Sequence, residues 1–199
     1  MAHLFYRILV LVSLVSLSLA ACNKSCHKGS CSISGSSGNE NCRCSNHVYG
    51  HLAFEYASCK GQGAKSVAMN VLRNSCSIKG DNAVAALENK IFGSTVSFVP
   101  RCRASSATQC SQVIGSSQCQ IVGTNAECRG EFLTWGQTTW LIPKCNAYKA
   151  RSCSITCPGV NSCAKDCGGD KSFPYAVCRC AINQSLSVLR PECFCSKYP

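Results

Sequence analysis

Hydrophobic residues in the middle of the chain recur at spacings that predict helices. In residues 81–91, valine, leucine and isoleucine side chains recur at helical spacing and would share one face. Asp81 is suited to cap the start of this helix and Gly93 to end it. Residues 64–74 are also rich in helix-forming residues. We therefore expect two helices between residues 64 and 91.

The segment that follows has the pattern of β structure. Residues 94–99 combine β-branched and aromatic side chains and stop at Pro100, which predicts a strand. In residues 102–128, cysteines recur between glycine- and serine-rich turns, as in short bridged strands. Residues 132–142 predict a hairpin whose turn is Gly136-Gln137.

The N-terminal residues have the order of a secretory signal. Residues 1–20 contain Arg7, then an apolar run, then the small residues Ser18 and Ala20 at the −3 and −1 positions of a cleavage site. The run is shorter than the roughly 20 residues of a membrane-spanning helix. An alternative is a lipoprotein signal that lipidates Cys22, but this would leave an odd number of thiols. We expect a secreted, extracellular protein.

Composition narrows the class further. Twenty of the 199 residues are cysteine and only 15% are charged, which argues against a cytosolic protein and against a disordered one. The net charge of +11 favours anionic partners such as microbial surfaces or membrane lipids. We expect no specific nucleic-acid partner, and no cofactor is implied.

The two ends of the chain carry similar cysteine patterns. Cys22-x3-Cys26 precedes Cys42-x-Cys44 near the start, and Cys153-x3-Cys157 precedes Cys178-x-Cys180 near the end. On a helix C-x3-C places both sulfurs on one face, and on a strand C-x-C does the same. We therefore expect a small disulfide-rich α+β fold in which short helices are clamped by disulfides onto antiparallel sheets. The expected divisions are a signal peptide (1–20), an N-terminal cysteine-rich module (21–59), a central segment (60–143) and a C-terminal cysteine-rich module (144–199).

The C-terminal pattern resembles the cysteine-stabilised αβ modules of invertebrate defensins. The resemblance covers residues 145–195 and, more weakly, 22–59. It implies disulfides of Cys153 with Cys178, Cys157 with Cys180, and Cys145 with Cys167. Lys165 stands where that family usually has glycine, and an unrelated disulfide scaffold is the alternative interpretation.

The same module carries a group of basic residues that we expect to bind an anionic surface. Aromatic residues nearby, Tyr148, Phe173 and Tyr175, would sit at a membrane interface. The proposed surface-binding cations are Lys144, Lys149, Arg151, Lys165, Lys171 and Arg179.

Other chemistry has weaker support. His47, His51 and Glu55 recur every four residues, a zinc ligand set if the segment were helical, but Gly50 and the neighbouring CRC favour solvent-facing histidines. Motifs typical of hydrolases are lacking, so we expect no catalytic residues, a secreted hydrolase being the minor alternative. Asn23 and Asn183 lie in N-glycosylation triplets.

These observations together predict a secreted cationic defence protein, antimicrobial in type. The alternative function is a secreted protein-interaction module, such as a receptor ligand, a channel toxin or a protease inhibitor.

Overall fold

The computed structural model shows a protein built almost wholly from antiparallel β-strands. It describes residues 20–26, 28–35, 40–159, 161–167, 172–183 and 188–198; the expected signal peptide lies outside them except for Ala20. No helix occurs in these residues, so none is long and apolar enough to cross a membrane. The expected α+β fold is therefore wrong. The strands are β1 (Ala20–Cys26), β2 (Gly29–Gly35), β3 (Glu40–Tyr49), β4 (Leu52–Gly61), β5 (Ala64–Val71), β6 (Asn74–Phe92), β7 (Thr95–Ile114), β8 (Ser117–Trp135), β9 (Thr138–Thr156), β10 (Ser162–Lys165), β11 (Tyr175–Asn183) and β12 (Val188–Ser196).

Both segments predicted to be helical are strands. Residues 64–74 form β5 and the turn after it, and residues 81–91 lie within β6. In β6, Ala83 and Ala85 are buried while Val84 and Ala86 are exposed, which is the two-residue period of a strand. Alanine is a good helix former, but here its small side chain fills a narrow space between strands, and tertiary packing overrides its helical preference.

The predicted β elements are confirmed as strands but not in their lengths, since β7 continues through Pro100 and the strands across residues 102–128 are long rather than short. Residues 94–99 run into β7, and residues 132–142 form a hairpin in which Trp135 pairs with Thr138 across Gly136-Gln137. Gly93 occupies the equivalent turn between β6 and β7 at a φ of 55° rather than ending a helix. Glycine is favoured in both turns because the left-handed backbone strains other residues.

One sheet holds all twelve strands. Its main path runs β1-β2-β5-β6-β7-β8-β9-β11-β12, with β4 pairing β3 and β6 and with β10 pairing β9. Strands β6 to β9 are 19 or 20 residues long, and the β6–β7 and β8–β9 hairpins each have two register shifts near the middle. Such bulges bend strands sharply. Each long hairpin is therefore a bent unit with two paired arms.

The two long hairpins are copies of one 43-residue sequence. Each of the following residues recurs 43 positions later: Cys76 at Cys119, Ile78 at Ile121, Gly80 at Gly123, Asn82 at Asn125, Gly93 at Gly136, Pro100 at Pro143, Cys102 at Cys145, Ala107 at Ala150 and Cys110 at Cys153. The copies keep the same conformation, since Asn82 and Asn125 have φ angles of 52° and 54°. We call residues 74–114 the second repeat and residues 117–156 the third repeat.

Strands β2 to β5 form a first repeat of the same design. Cys31-x-Ile33-x-Gly35 matches the start of the later copies, and Gly63, Ser106 and Lys149 share a left-handed backbone at intervals of 43 residues. Fifteen positions separate Gly35 from Gly50, whereas thirteen separate Gly80 from Gly93. The first repeat, residues 29–71, is therefore longer at its bend.

Small residues allow the bent arms to approach each other. A Cβ atom added at Gly80 would lie 2.7 Å from the Cα of Ala107, and one added at Gly123 would lie 2.6 Å from the Cα of Ala150. Both distances are shorter than van der Waals contact. The repeated glycine and alanine thus belong to one packing arrangement.

The buried core is composed mainly of cysteine, alanine and β-branched side chains. Disulfides therefore supply much of the stability that large apolar side chains would otherwise provide. Among the described residues nine disulfides are formed and Cys22 and Cys31 are thiols. The bridges are Cys26–Cys44, Cys42–Cys59, Cys76–Cys102, Cys110–Cys128, Cys119–Cys145, Cys153–Cys178, Cys157–Cys180, Cys163–Cys193 and Cys167–Cys195.

Candidate functional site

A row of basic residues crosses the outer face of strands β3, β4, β6 and β7. Because Cys59, Ala85 and Cys102 are buried, the residues that alternate with them face outward. Lys60 pairs in register with Val84, and Val84 pairs with Arg103. All three are exposed. The backbones at Lys60 and Arg103 are about 10 Å apart, twice the spacing of neighbouring strands.

Arg43 extends this row onto β3. Asn41 lies opposite Lys60, and Arg43 is two residues further along the same face of β3. Its side chain is exposed. We call Arg43, Lys60 and Arg103 the basic row.

Among the residues that the structure describes, the basic row brings three cations without ion pairs together on one face, whereas other cations without ion pairs, such as Lys24, Lys79 and Lys165, lie elsewhere in the chain. In the described parts of the chain, no salt bridge involves Arg43, Lys60 or Arg103. Seven other cations form ion pairs with four acids, in the pairs Lys65–Asp81, Lys90–Glu88, Arg101–Glu88, Arg129–Glu131, Lys144–Glu131, Arg179–Glu192 and Arg190–Glu192. The three cations of the row therefore keep their full capacity to bind an external anion.

Shallow grooves border the basic row, and two of them lie at equivalent places between consecutive repeats. The first has a volume of about 180 Å³ and is lined by Arg43, Ser58, Lys60 and Val84, among others. The second has a volume of about 320 Å³, and its lining includes Arg101, Arg103, Asn125 and Glu127. The grooves occupy equivalent places, since Lys60 and Val84 recur 43 residues later as Arg103 and Glu127.

The lining of the first groove combines hydroxyl groups with small apolar side chains. Ser45 and Ser58 share a hydrogen bond of 3.2 Å between their hydroxyl oxygens, and Tyr56 lines the same groove. Val84 is the large apolar side chain exposed within it. Cations with neighbouring hydroxyl groups can bind several anionic groups along an extended molecule.

The basic residues predicted from the C-terminal module differ in their surroundings where the structure describes them. Lys144 is mostly buried and lies 3.9 Å from Glu131, and Arg179 lies 3.3 Å from Glu192 and packs over the Phe194 ring. Lys149 covers the ring of Tyr148, and Lys165 is exposed on β10. The side chain of Arg151 and all of Lys171 lie outside the described residues.

The predicted aromatic residues divide between packing and exposure. Tyr148 and Tyr175 pack in a tilted arrangement with ring centroids 5.3 Å apart, joining β9 to β11. Phe173 is exposed, and the Lys197 ammonium lies 5.9 Å from its ring centroid. Two of the three rings thus have a role in packing.

Reasoning from the sequence did not identify the basic row, because its members are far apart in the chain. The signal that could have found them is the 43-residue repeat, which places Lys60 and Arg103 at equivalent positions.

Two of the implied disulfides are present and one is not. Cys153 is bonded to Cys178 and Cys157 to Cys180. The expected Cys145–Cys167 bridge is wrong, because Cys145 is bonded to Cys119 and Cys167 to Cys195. The clamped segment is strand β9 rather than a helix, and Cys145 on that strand is bonded within the third repeat.

The candidate zinc ligands do not lie on a helix. His47 is in β3, His51 is in the turn that follows and Glu55 is in β4. Sulfur atoms do cluster at Cys153, Cys178 and Cys193, and at Cys26 and Cys44 near Glu55. These cysteines are all in disulfides, which removes the thiolates that a metal would need.

The glycosylation candidates differ in exposure. Asn23 is exposed on β1, whereas Asn183 is partly buried at the end of β11 and makes a contact there. The residues after Asn183 in its triplet lie outside the described chain.

The thiol of Cys31 has a strongly raised pKa. Burial, with a smaller contribution from the neighbouring Cys22, raises the pKa of its thiol to about 12. Cys31 is therefore a protonated thiol at neutral pH.

Comparison with protein-family models, with curated proteins and with solved structures gives no match for the chain. Extensive disulfide bonding is nevertheless typical of extracellular proteins.

Proposed function

We propose that the chain is a secreted cationic protein that binds an extended anionic polymer, such as a sulfate- or phosphate-bearing polysaccharide of a microbial envelope. The observation that carries the proposal is the basic row, in which Arg43, Lys60 and Arg103 are exposed and unpaired on one face of the described sheet. A defence role against microbes is the biological setting that fits this binding.

A polymer fits the row better than a lipid bilayer does. Membrane-surface binding combines cations with large apolar or aromatic side chains that enter the interface. The first groove instead presents serine hydroxyl groups, and Val84 is its large exposed apolar side chain. Cations spaced about 10 Å apart suit charges repeated along a chain.

The proposal is for binding rather than for catalysis. The row and its grooves hold cations, hydroxyl groups and small side chains, and Glu127 is the carboxylate in the lining of the second groove. A lone exposed carboxylate without a partner acid or base is a poor basis for hydrolysis.

The test compares dextran sulfate with uncharged dextran as ligands of the oxidised protein. We expect the triple variant Arg43→Gln, Lys60→Gln, Arg103→Gln to bind dextran sulfate about tenfold more weakly, because exposed ion contacts contribute about 0.2–1 kcal/mol each. Affinity for the sulfated polymer should also fall steeply with added salt, which screens exposed charges. Titration calorimetry measures both effects.

A matched control separates the row from net charge. The variant Lys65→Gln, Lys90→Gln, Arg190→Gln loses the same charge at positions already in ion pairs and should bind nearly as the wild type does. Equal losses in both variants would contradict the proposal. Binding to vesicles that contain phosphatidylglycerol, without binding to dextran sulfate, would replace it with a membrane-surface function.

A further inference from the structure

The first repeat is the place where the cysteine pairing departs from the rest of the molecule. Cys42 is bonded to Cys59 on the neighbouring strand, while Cys22 and Cys31 are thiols. Cys31 is buried in the core and Cys22 packs against it. Two unpaired thiols beside a disulfide raise the question of which pairing the repeated architecture favours.

Cys31 occupies the same register position as Cys76 and Cys119. Cys31 lies opposite Met69, Cys76 lies opposite Gln112, and Cys119 lies opposite Ile155. The three partner residues are themselves spaced 43 positions apart. Cys31 is therefore the first-repeat counterpart of these two bridged cysteines.

Cys59 occupies the register position of Cys102 and Cys145. Cys59 lies opposite Cys42, Cys102 opposite Ala85, and Cys145 opposite Cys128. In the later repeats the bridges are Cys76–Cys102 and Cys119–Cys145. The equivalent bridge in the first repeat is Cys31–Cys59.

Cys22 and Cys42 have counterparts as well. Cys22 faces Ile33 from the preceding strand, as Cys110 faces Ile121. Cys42 is the counterpart of Cys128, and Cys110 is bonded to Cys128. The structure places the sulfur of Cys42 only 3.1 Å from the carbonyl oxygen of Cys22.

The C-terminal end supplies an independent comparison. There Cys153–Cys178 stands beside Cys157–Cys180, in the pattern C-x3-C with C-x-C. At the N-terminus, Cys26–Cys44 matches Cys157–Cys180 by spacing. The bridge that matches Cys153–Cys178 is Cys22–Cys42.

We propose that the fully oxidised protein contains Cys22–Cys42 and Cys31–Cys59, so that all twenty cysteines are bridged. The change from the pairing in the structure needs two balanced steps. While the first repeat is still forming and Cys31 is not yet buried, the Cys31 thiolate attacks the sulfur of Cys59 and displaces the Cys42 thiolate, with no net oxidation. Cys22 and Cys42 then give up two electrons and two protons to a small-molecule disulfide such as oxidised glutathione, which becomes two thiols.

The test is a disulfide map made with trypsin and a glutamate-specific protease under non-reducing conditions. Cleavage after Lys24, Lys28, Glu40, Arg43, Glu55 and Lys60 separates six cysteines into six peptides. We expect peptide 21–24 to be linked to 41–43, and peptide 29–40 to be linked to 56–60. Linkage of 41–43 to 56–60, or of 21–24 to 29–40, would overturn the proposal.

A single substitution gives a second readout. In Cys31→Ser we expect the free thiol to appear on Cys59, so that an alkylating reagent labels peptide 56–60. Labelling of peptide 21–24 instead would show that Cys31 has no partner and would overturn the proposal. The control Cys26→Ser should label peptide 44–55 under either pairing, since Cys26–Cys44 is common to both.

Discussion

The second and third repeats are nearly the same object, whereas the first repeat is a looser copy of it. In the later repeats each arm of the hairpin is one continuous strand, and in the first the arms are divided into β2 with β3 and β4 with β5. The second and third repeats are joined by the disulfide Cys110–Cys128. The equivalent positions in the first and second repeats are occupied by Val67 and Ala85. Register in the sheet, rather than spacing along the chain, therefore determines which cysteines can form a disulfide.

The largest expected effect comes from giving the junction of the first and second repeats the bridge found at the next junction. Val67 and Ala85 are both buried and lie 43 positions before Cys110 and Cys128. We expect Val67→Cys with Ala85→Cys to form an additional disulfide. A loop of this length contributes roughly 3 kcal/mol in the chain-entropy model, measurable as a higher urea midpoint of unfolding.

The control for this prediction uses the adjacent positions. Neighbouring residues of a strand point to opposite faces. In Ala68→Cys with Val84→Cys, each thiol therefore lies on the face of its strand opposite to that of residue 67 or 85. This pair should stay reduced and give no added stability. A bridge between residues 68 and 84, or none between 67 and 85, would contradict the equivalence of the two junctions.

The next effect concerns the bends that the repeats share. An added Cβ at Gly35, like one at Gly80 or Gly123, would meet a backbone Cα within 2.7 Å. We expect each Gly→Ala substitution at these positions to destabilise the protein by about 1–3 kcal/mol, as overpacking does. Thermal unfolding of the three variants measures whether the bends are energetically alike.

A turn glycine provides the contrast to the bends. Gly136 has a φ of 58° and nothing within 4 Å of an added Cβ, so Gly136→Ala should cost about 1 kcal/mol from backbone strain alone. A loss at Gly35 no larger than that at Gly136 would show that the first bend is not packed as the others are.

Much of the β structure could be predicted from the sequence, but the fold class could not. The hairpin around Gly136 and the first residues of β7 have β-branched and aromatic side chains that favour strands. The strand β6 is rich in alanine, whose helical preference is intrinsic while its fit between close strands depends on residues far away. The C-x3-C segment at Cys153 has the same ambiguity, because two cysteines four apart also reach different partners from a strand.

The candidate site could not be predicted from local sequence patterns, because it depends on contacts between residues far apart in the chain. Lys60 and Arg103 become neighbours of Val84 only when three strands pair. The basic residues clustered in the C-terminal sequence are the more obvious candidates from the sequence. Two of them, Lys144 and Arg179, form ion pairs with acids on neighbouring strands. The 43-residue repeat is the sequence property that carries this long-range information.

The smallest effect tests the acidic residue that distinguishes the second groove from the first. Val84 in the first groove is replaced by Glu127 at the equivalent position of the second. A carboxylate beside Arg103 should weaken anion binding there, so Glu127→Val should strengthen the binding of dextran sulfate about twofold to fivefold. The control Glu55→Val makes the same change in charge on β4, at a position that faces away from Lys60 by alternation, and should leave affinity unchanged. Equal gains in both variants would mean that net charge, rather than the repeated groove, governs binding.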